Sequence, residues 1–558
     1  RAAGLIEPME DAEGVGPALY SASGPTLAGV LKPEILAPAG AAPPVLGWAS
    51  VTGSVDPGAL LLFLLPMGGI LAIDLVVLVA VAALLAVRFD YGATAQMQFG
   101  TDLPWIEAIN ARYHIGVDGI SLPLVVLSTF ITTLVVIYSW NHWPEPHNPK
   151  LLMILTMILA TGMTGTFVAL DLVLFFVFFE VVLLPMYFMI GIWGDTTMRV
   201  VPVVHWEIEM RLYASIKFFL FTLFGSAFML LGFLALYFKS GEAGARTFDI
   251  LELSALGQAG LFAGTFAFWV FAAMFLGFAV KVPMWPLHTW LPDAHTAAPT
   301  IGSVILAAIL LKLGTYGFIR ISIPILPEEA KNWAWFIGVL AVIGIIYGSL
   351  ACLAQSDMKR LIAYSSVGHM GFVMLGIATM NEIGINAAII GMVAHGLITG
   401  LLFFIAGSMA HRYHTRDMDR LGGQMILMPK MGFVLGFAAM ASLGLPALAG
   451  FWGEFMSLLA SFNPLPGLSV PLFRTLMVVA AIGTVLTAGY MLWMLRSVDF
   501  GEPSAEWLDH DFHDIDRYEW MAWAPLVVMT IAIGIYPKIV FGATNDAVVN
   551  LVTKAFGG

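Results

Sequence analysis

The segment LVLFFVFFEVVLLPMYFMIGIW, running from Leu172 to Trp193, carries a single charge, Glu180, near its middle. The run is long enough to cross a bilayer, for which about 20 apolar residues suffice. A carboxylate at that depth costs roughly 2.5 to 3.5 kcal/mol on insertion scales. The same violation recurs at Lys281, Lys312 and Glu454, each inside or beside another apolar stretch. Four such charges total about 10 kcal/mol, comparable with the whole stability of a domain, so packing alone does not account for them. Charges inside a membrane bundle pair with one another or face water, and they mark ion pathways.

Composition agrees with a membrane protein. The 558 residues are 59% hydrophobic and 11% charged, with mean hydropathy +0.88, which excludes a soluble globular chain. A net charge of -12 argues against nucleic acid as a partner. Much of the acidic excess lies in segments such as Ser504 to Glu519, which reads as a solvated loop. The single cysteine, Cys352, excludes an internal disulfide and an iron-sulfur cluster held by this chain. Walker A and dinucleotide fingerprints are absent from the sequence.

Apolar runs predict twelve spans, near 118–139, 151–169, 172–193, 213–238, 261–282, 296–320, 333–353, 361–380, 384–410, 431–460, 473–495 and 520–541. Residues 59–87 are apolar but are divided by Pro66, Gly68, Gly69 and Asp74 into one long helix or two short ones. Residues 1–58, rich in Ala, Gly and Pro, read as an extramembrane extension, and no secretory signal is expected there. The organisation that follows has N-terminal spans over 59–139, a first repeat over 151–320 and a second over 333–495. An acidic loop over 496–519 and a C-terminal helix and tail over 520–558 complete it. Two interruptions suggest the repeat: KVPMWPLHTWLPDAH after Lys281, and ASLGLPALAGFWGEF before and through Glu454. Paired Gly/Pro breaks in two halves point to inverted repeats with ion sites where the helices unwind. Lys359, Arg360, Arg412, Arg416, Arg420 and Lys430 make their face the more basic one, expected to be cytoplasmic.

Glu180 and Lys281, if close, favour one another's charged forms, so separating them changes the proton affinity of both. A static ion pair between helices is the plainer alternative. Lys312 lies too deep to reach an interface and is expected to face a hydrated cavity. Lys217 sits a turn or so inside its span, where snorkelling competes with function. His369 and His395 fall mid-span between Lys312 and Glu454 in sequence, and histidine suits a relay near neutral pH; a satisfied core histidine is the alternative. Ser365 and Ser366 could bind water or bond their own helix. His288, Asp293 and His295 surround Pro292 without ligand spacing, and no metal is expected there.

The motifs GVDGISLPLVVLSTF (116–130), FFEVVLLPMY (178–187), KVPMWPLHTWLPDAHTAAPT (281–300), LLKLGTYGFIR (310–320), DMKRLIAYSSVGHMGF (357–372) and GFWGEF (450–455) resemble the antiporter-like membrane subunits of respiratory complex I, in particular the subunit M family of NADH-quinone oxidoreductase. The resemblance runs from about Phe99 to near the C-terminus. It implies an all-α polytopic membrane fold of about 13–14 helices with two inverted five-helix repeats, broken near 281–292 and 444–453. It further implies that Glu180 and Lys281 form the input-side pair, Lys312 the centre, His369 and His395 the connecting axis, and Glu454 the exit group. Sister subunits and sodium/proton antiporters similar to this chain carry lysine where Glu454 stands, which favours the subunit M type. The implied activity is proton translocation within an NADH:quinone oxidoreductase in a bacterial cytoplasmic (inner) membrane. Sister antiporter-like subunits would be its neighbours, with flavin and iron-sulfur clusters in partner chains and no cofactor in this one. A cation/proton antiporter subunit without redox partners, and a membrane-bound hydrogenase or formate-linked subunit, share the same unit and stay open. A passive scaffold is disfavoured by the buried charges.

Overall fold

The computed structural model describes residues 80–81, 83–200 and 206–557. The extension over 1–58, and the 59–87 run as far as residue 79, lie outside the described residues. Residues 80–81 and 83–88 are helical, and a β-hairpin, β1 (Gln98–Ile106) and β2 (Ala111–Val117), follows them. The sequence reading of an all-helical chain omitted it, since its polar, uneven pattern lacks the strict alternation that marks a strand. A second small hairpin joins β3 (Met198–Val200) to β4 (Glu207–Glu209).

The helices are α1 (Leu122–Ser139), α2 (Pro149–Val168), α3 (Leu172–Trp193), α4 (Met210–Ser240), α5 (Ile250–Gln258), α6 (Gly264–Lys281), α7 (Trp290–Ala297), α8 (Thr300–Ile325), α9 (Pro327–Leu353), α10 (Met358–Ala378), α11 (Glu382–Tyr413), α12 (Pro429–Ser442), α13 (Ala449–Phe462), α14 (Val470–Val498), α15 (Arg517–Ile535) and α16 (Lys538–Phe556). Among the described residues, eleven helices are long and apolar enough to cross a membrane. The predicted 431–460 span is two 14-residue helices, α12 and α13, each too short to cross alone. The predicted C-terminal span ends at Ile535, because Pro537 stops α15, and the chain turns into α16.

From α2 to α8 the chain makes five spans of which the fourth, α6 with α7, is broken. From α9 to α14 it makes five more, and again the fourth, α12 with α13, is broken. Five crossings are an odd number, so the second set starts on the opposite face from the first, which is the inverted relationship. The breaks follow from local chemistry. Pro283 and Pro286 follow Lys281 and cannot extend the helix, while Gly444 takes φ +79°, a conformation glycine adopts freely.

Several helices start on side-chain caps: Asn148, Asp171, Asp249, Asp357, Asn381 and Asp516 each accept from a first-turn amide. Arg416 pairs with both Asp195 and Asp357, gathering three connections on one face. The acidic segment before α15, expected to be solvated, is not wholly so. Glu519 is fully buried and accepts from both terminal guanidinium nitrogens of Arg412 at 2.7 Å. The fork of an arginine matches a carboxylate, which makes burial tolerable for both.

Candidate proton-relay site

The π-helical turn Leu306–Leu310 inside α8 is where the central site begins. A π turn displaces the i→i−4 pattern and releases backbone groups, and the Ala307 carbonyl accepts from Lys312 Nζ. Lys312 is fully buried, and its Nζ lies 2.6 Å from Nδ1 of His395 on α11. The His369 ring on α10 follows, with its centroid 5.9 Å from that of His395. His369 Nδ1 is 2.9 Å from Oε1 of Glu454 on α13, and its Nε2 is 3.0 Å from Oγ of Ser442, the last residue of α12. A cavity of about 30 Å³ lies among His369, His395, Thr399, Ser442 and Glu454. Its wall is mostly apolar, with Phe372, Val373 and Ile398 beside these polar side chains, and it has room for water. Four of the sequence-predicted residues, Lys312, His395, His369 and Glu454, thus form one line between the two breaks, and Ser442 joins it.

Glu180 and Lys281 are less closely joined than expected. No ion pair within 4.0 Å links them. Glu180 Oε1 and Lys281 Nζ have no hydrogen-bond partner in the protein. Lys281 Nζ instead stands 4.7 Å from the ring centroid of Phe179, a cation–π contact. Each residue still lies in the other's field, and Ser226 adjoins the carboxylate. The two lysine helices touch at Gly314, where a Cβ would fall 2.7 Å from the Phe278 carbonyl oxygen and 3.1 Å from Lys281 Cβ. Lys281 has no hydrogen bond to the Lys312 line.

Lys217 is placed elsewhere. Its Nζ is 2.7 Å from Asp293 Oδ2, and Arg199 takes the other oxygen at 2.8 Å. This ion-pair cluster ties α4, α7 and the β3 hairpin together. His288 and His295 do not join Asp293 as a ligand set; His295 stacks on Phe403 with its centroid 4.4 Å away. Among the described residues, the three His and carboxylate groups close enough together to share an ion are His142, Asp516 and Glu519, where Arg412 already holds Glu519. Ser365 and Ser366 both donate to the Ile362 carbonyl, the self-bonding alternative.

Three features had no sequence signal strong enough to single them out. Phe179 under Lys281 is one phenylalanine among 39. Ser442 resembles every other membrane serine until its partner is seen. The third is Arg320 on α8, which pairs with Asp118 with both side chains buried, while Tyr316 accepts from its Nε at 3.0 Å and donates to the Phe167 carbonyl at 2.8 Å.

Fold and site together define a polytopic helical membrane protein whose interior holds a line of buried Lys, His and Glu side chains between two broken helices. The family described as NADH:quinone oxidoreductase/Mrp antiporter, TM, matches residues 169–487, and that described as NADH-ubiquinone oxidoreductase chain 4, amino terminus, matches 61–166. The second match reaches back past Phe99 into the apolar run that the sequence reading set apart. NADH-quinone oxidoreductase subunit M of Rhodobacter capsulatus is 43% identical over 482 residues, 86% of this chain and 88% of that protein. The subunit M protein of Rickettsia prowazekii (strain Madrid E) is 40% identical, over 82% of this chain and 87% of its own length. A chain of respiratory complex I from Thermus thermophilus superposes with TM-score 0.76 at 26% identity, over 90% of this chain and all of that one. A chain of the Mrp complex from Dietzia sp. DQ12-45-1b shares the fold, with TM-score 0.72 at 20% identity, over 90% of this chain and 52% of its own. The chain belongs to the NADH-quinone oxidoreductase subunit M family of antiporter-like membrane subunits.

Proposed function

We propose that this chain is a proton-translocating membrane subunit of an NADH:quinone oxidoreductase, and that protons move along Lys312, His395, His369 and Glu454 under control of the Glu180–Lys281 pair. The observation that carries the reading is the 2.6 Å contact of Lys312 with His395 and the 2.9 Å contact of His369 with Glu454. Amine, imidazole and carboxylate are groups that exchange protons near neutral pH when their surroundings shift them. The line lies in the protein interior, where such groups cost stability and for that reason mark transport paths. Lys281 resting on Phe179, away from Glu180, is one arrangement of a pair whose closing would restore the ion pair and alter the charge felt by α8. The chain supplies no redox centre in this scheme; flavin and iron-sulfur clusters belong to partner subunits, and electron transfer there drives the pair.

The proposed setting is the cytoplasmic membrane of a bacterium. The neighbours are the other membrane-arm subunits, including two sister antiporter-like chains, and the basic face with Arg412 and Arg416 is the cytoplasmic one.

The test is proton uptake by inverted membrane vesicles respiring on NADH, with the complex assembled and quantified. Lys312→Met is expected to reduce protons moved per NADH at least severalfold. An unchanged ratio in a fully assembled Lys312→Met complex would remove the reading.

A further inference from the structure

Hydroxyls in apolar helices ordinarily bond to their own backbone, and this chain follows the rule widely. Thr132, Thr156, Thr166, Ser349, Ser457 and Ser461 each donate to the carbonyl four residues back. Ser442 departs from it. Its side chain is buried, and its one hydrogen bond among the described residues is the 3.0 Å contact with His369 Nε2. The position explains how. Ser442 closes α12, immediately before the turn through Leu443 and Gly444, so its hydroxyl is carried on the rim of the break and not along a continuing helix.

The other ring nitrogen fixes the hydrogen-bond roles. Whenever Glu454 is ionised it can only accept, and in that state His369 Nδ1, 2.9 Å from Oε1, carries the hydrogen. A neutral imidazole has one N–H, which leaves Nε2 as a lone pair facing the Ser442 hydroxyl. Ser442 donates to it. When the ring becomes an imidazolium, Nε2–H donates and the same hydroxyl accepts. Serine serves both states without moving the ring, because its hydroxyl is a donor and an acceptor at once.

We propose that Ser442 is a positioning residue for the exit half of the relay, holding His369 in the tautomer and orientation that point its Nδ1–H at Glu454. The proposal rests on the relay function proposed above. Without the hydroxyl, Nε2 would face the cavity shared with His395, and the ring could carry its hydrogen on either nitrogen, so only part of the population would aim a proton at Glu454. A methyl group in place of the hydroxyl neither donates nor accepts.

The experiment uses the whole complex in native vesicles and in the purified state. Ser442→Ala is expected to lower protons per NADH severalfold at unchanged content of assembled complex, while Ser442→Thr, which keeps the hydroxyl, stays within about twofold of wild type. Redox-induced infrared difference spectra supply a second readout. The carboxylic-acid C=O band that disappears in Glu454→Gln is expected to shift or weaken in Ser442→Ala and to persist in Ser442→Thr. If Ser442→Ala prevents assembly, Ser442→Cys, of similar size and with a much weaker donor, takes its place with the same expectations. Wild-type pumping and an unmoved band in the alanine or cysteine variant overturn the proposal, as does a threonine variant as impaired as alanine. Glu454→Gln separates the two levels. If it is impaired while Ser442→Ala is normal, only the role of Ser442 falls; if it pumps normally, the relay reading falls as well.

Discussion

Lys312 Nζ and His395 Nδ1 stand 2.6 Å apart, so a single proton occupies the space between them. Two cations cannot meet in that way, so in the proposed relay the pair would hold one proton as a unit, with the Ala307 carbonyl as an acceptor beside it. Groups that share a proton are energetically coupled, and their substitutions do not add. Lys312→Met and His395→Gln are each expected to reduce proton pumping by tenfold or more. The double variant is expected to be no worse than the more severe single one, which corresponds to a coupling of at least about 1 kcal/mol. Initial pumping rates of the three variants in vesicles check this; multiplicative losses would show two independent sites.

The separation of Lys281 from Glu180 makes its own expectation. A cation over a phenylalanine ring gains about 0.5 to 2 kcal/mol, weak enough to be reversed by a change nearby. Glu180→Gln is expected to assemble normally and to lower protons per NADH severalfold, because the lysine loses the partner whose approach and departure shift its proton affinity. Phe179→Leu is expected to impair pumping less while altering its rate. An unchanged proton-to-electron ratio in Glu180→Gln would mark the pair as structural.

Long apolar runs placed the spans well, since a helix in hydrocarbon must satisfy its backbone internally and the sequence therefore shows it as length. Lys312 and Glu454 stood out for the same reason, because a charge in an apolar run is conspicuous, whereas His369 and His395 were read from their mid-span place between those two in sequence. What escaped the sequence was relational. Ser442, Phe179 and the Arg320–Asp118 pair depend on which helices meet, and 202 residues separate Arg320 from Asp118. The burial of Glu519 escaped because its partner, Arg412, is 107 residues away. Lys217 was conspicuous by the same rule as Lys312, yet it belongs with Asp293, so a charge near a span end carries less information than one at its centre.

Arg320 and Asp118 form a buried ion pair whose partners fail differently. Asp118 Oδ1 also accepts from the amides of Ile120 and Ser121 at 3.0 Å. Removing the arginine alone leaves a buried carboxylate, a loss of about 3 to 5 kcal/mol. Arg320→Leu is expected to lower the amount of assembled complex sharply. Asp118→Asn added to it keeps an oxygen for the two amides and removes the stranded charge, and is expected to recover part of the loss. The quantity of complex on native gels and its melting temperature measure both steps; no recovery would show that the guanidinium has a further role.

Asp499, just past the end of α14, is fully buried with neither carboxylate oxygen hydrogen-bonded in the protein. Its Oδ1 lies 2.6 Å from where a Cβ on Gly432 would stand, so that glycine is what admits it. Burial pushes its carboxyl up to about 7, against about 3.9 for a solvated aspartate. A folded value above the unfolded one means that, between those two pH values, the folded chain keeps a proton that the unfolded chain has released. Stability therefore falls as pH rises through that window and stays at the lower level above about 7. Asp499→Asn removes the titration while keeping the shape. It is expected to melt higher than wild type at pH 8, by at least a few degrees, with the difference shrinking steadily as the buffer is taken down to pH 5. Melting curves of the intact complex across that range test it. A variant less stable than wild type at pH 8 would mean that the Asp499 carboxylate is held by a partner group contributed from another subunit.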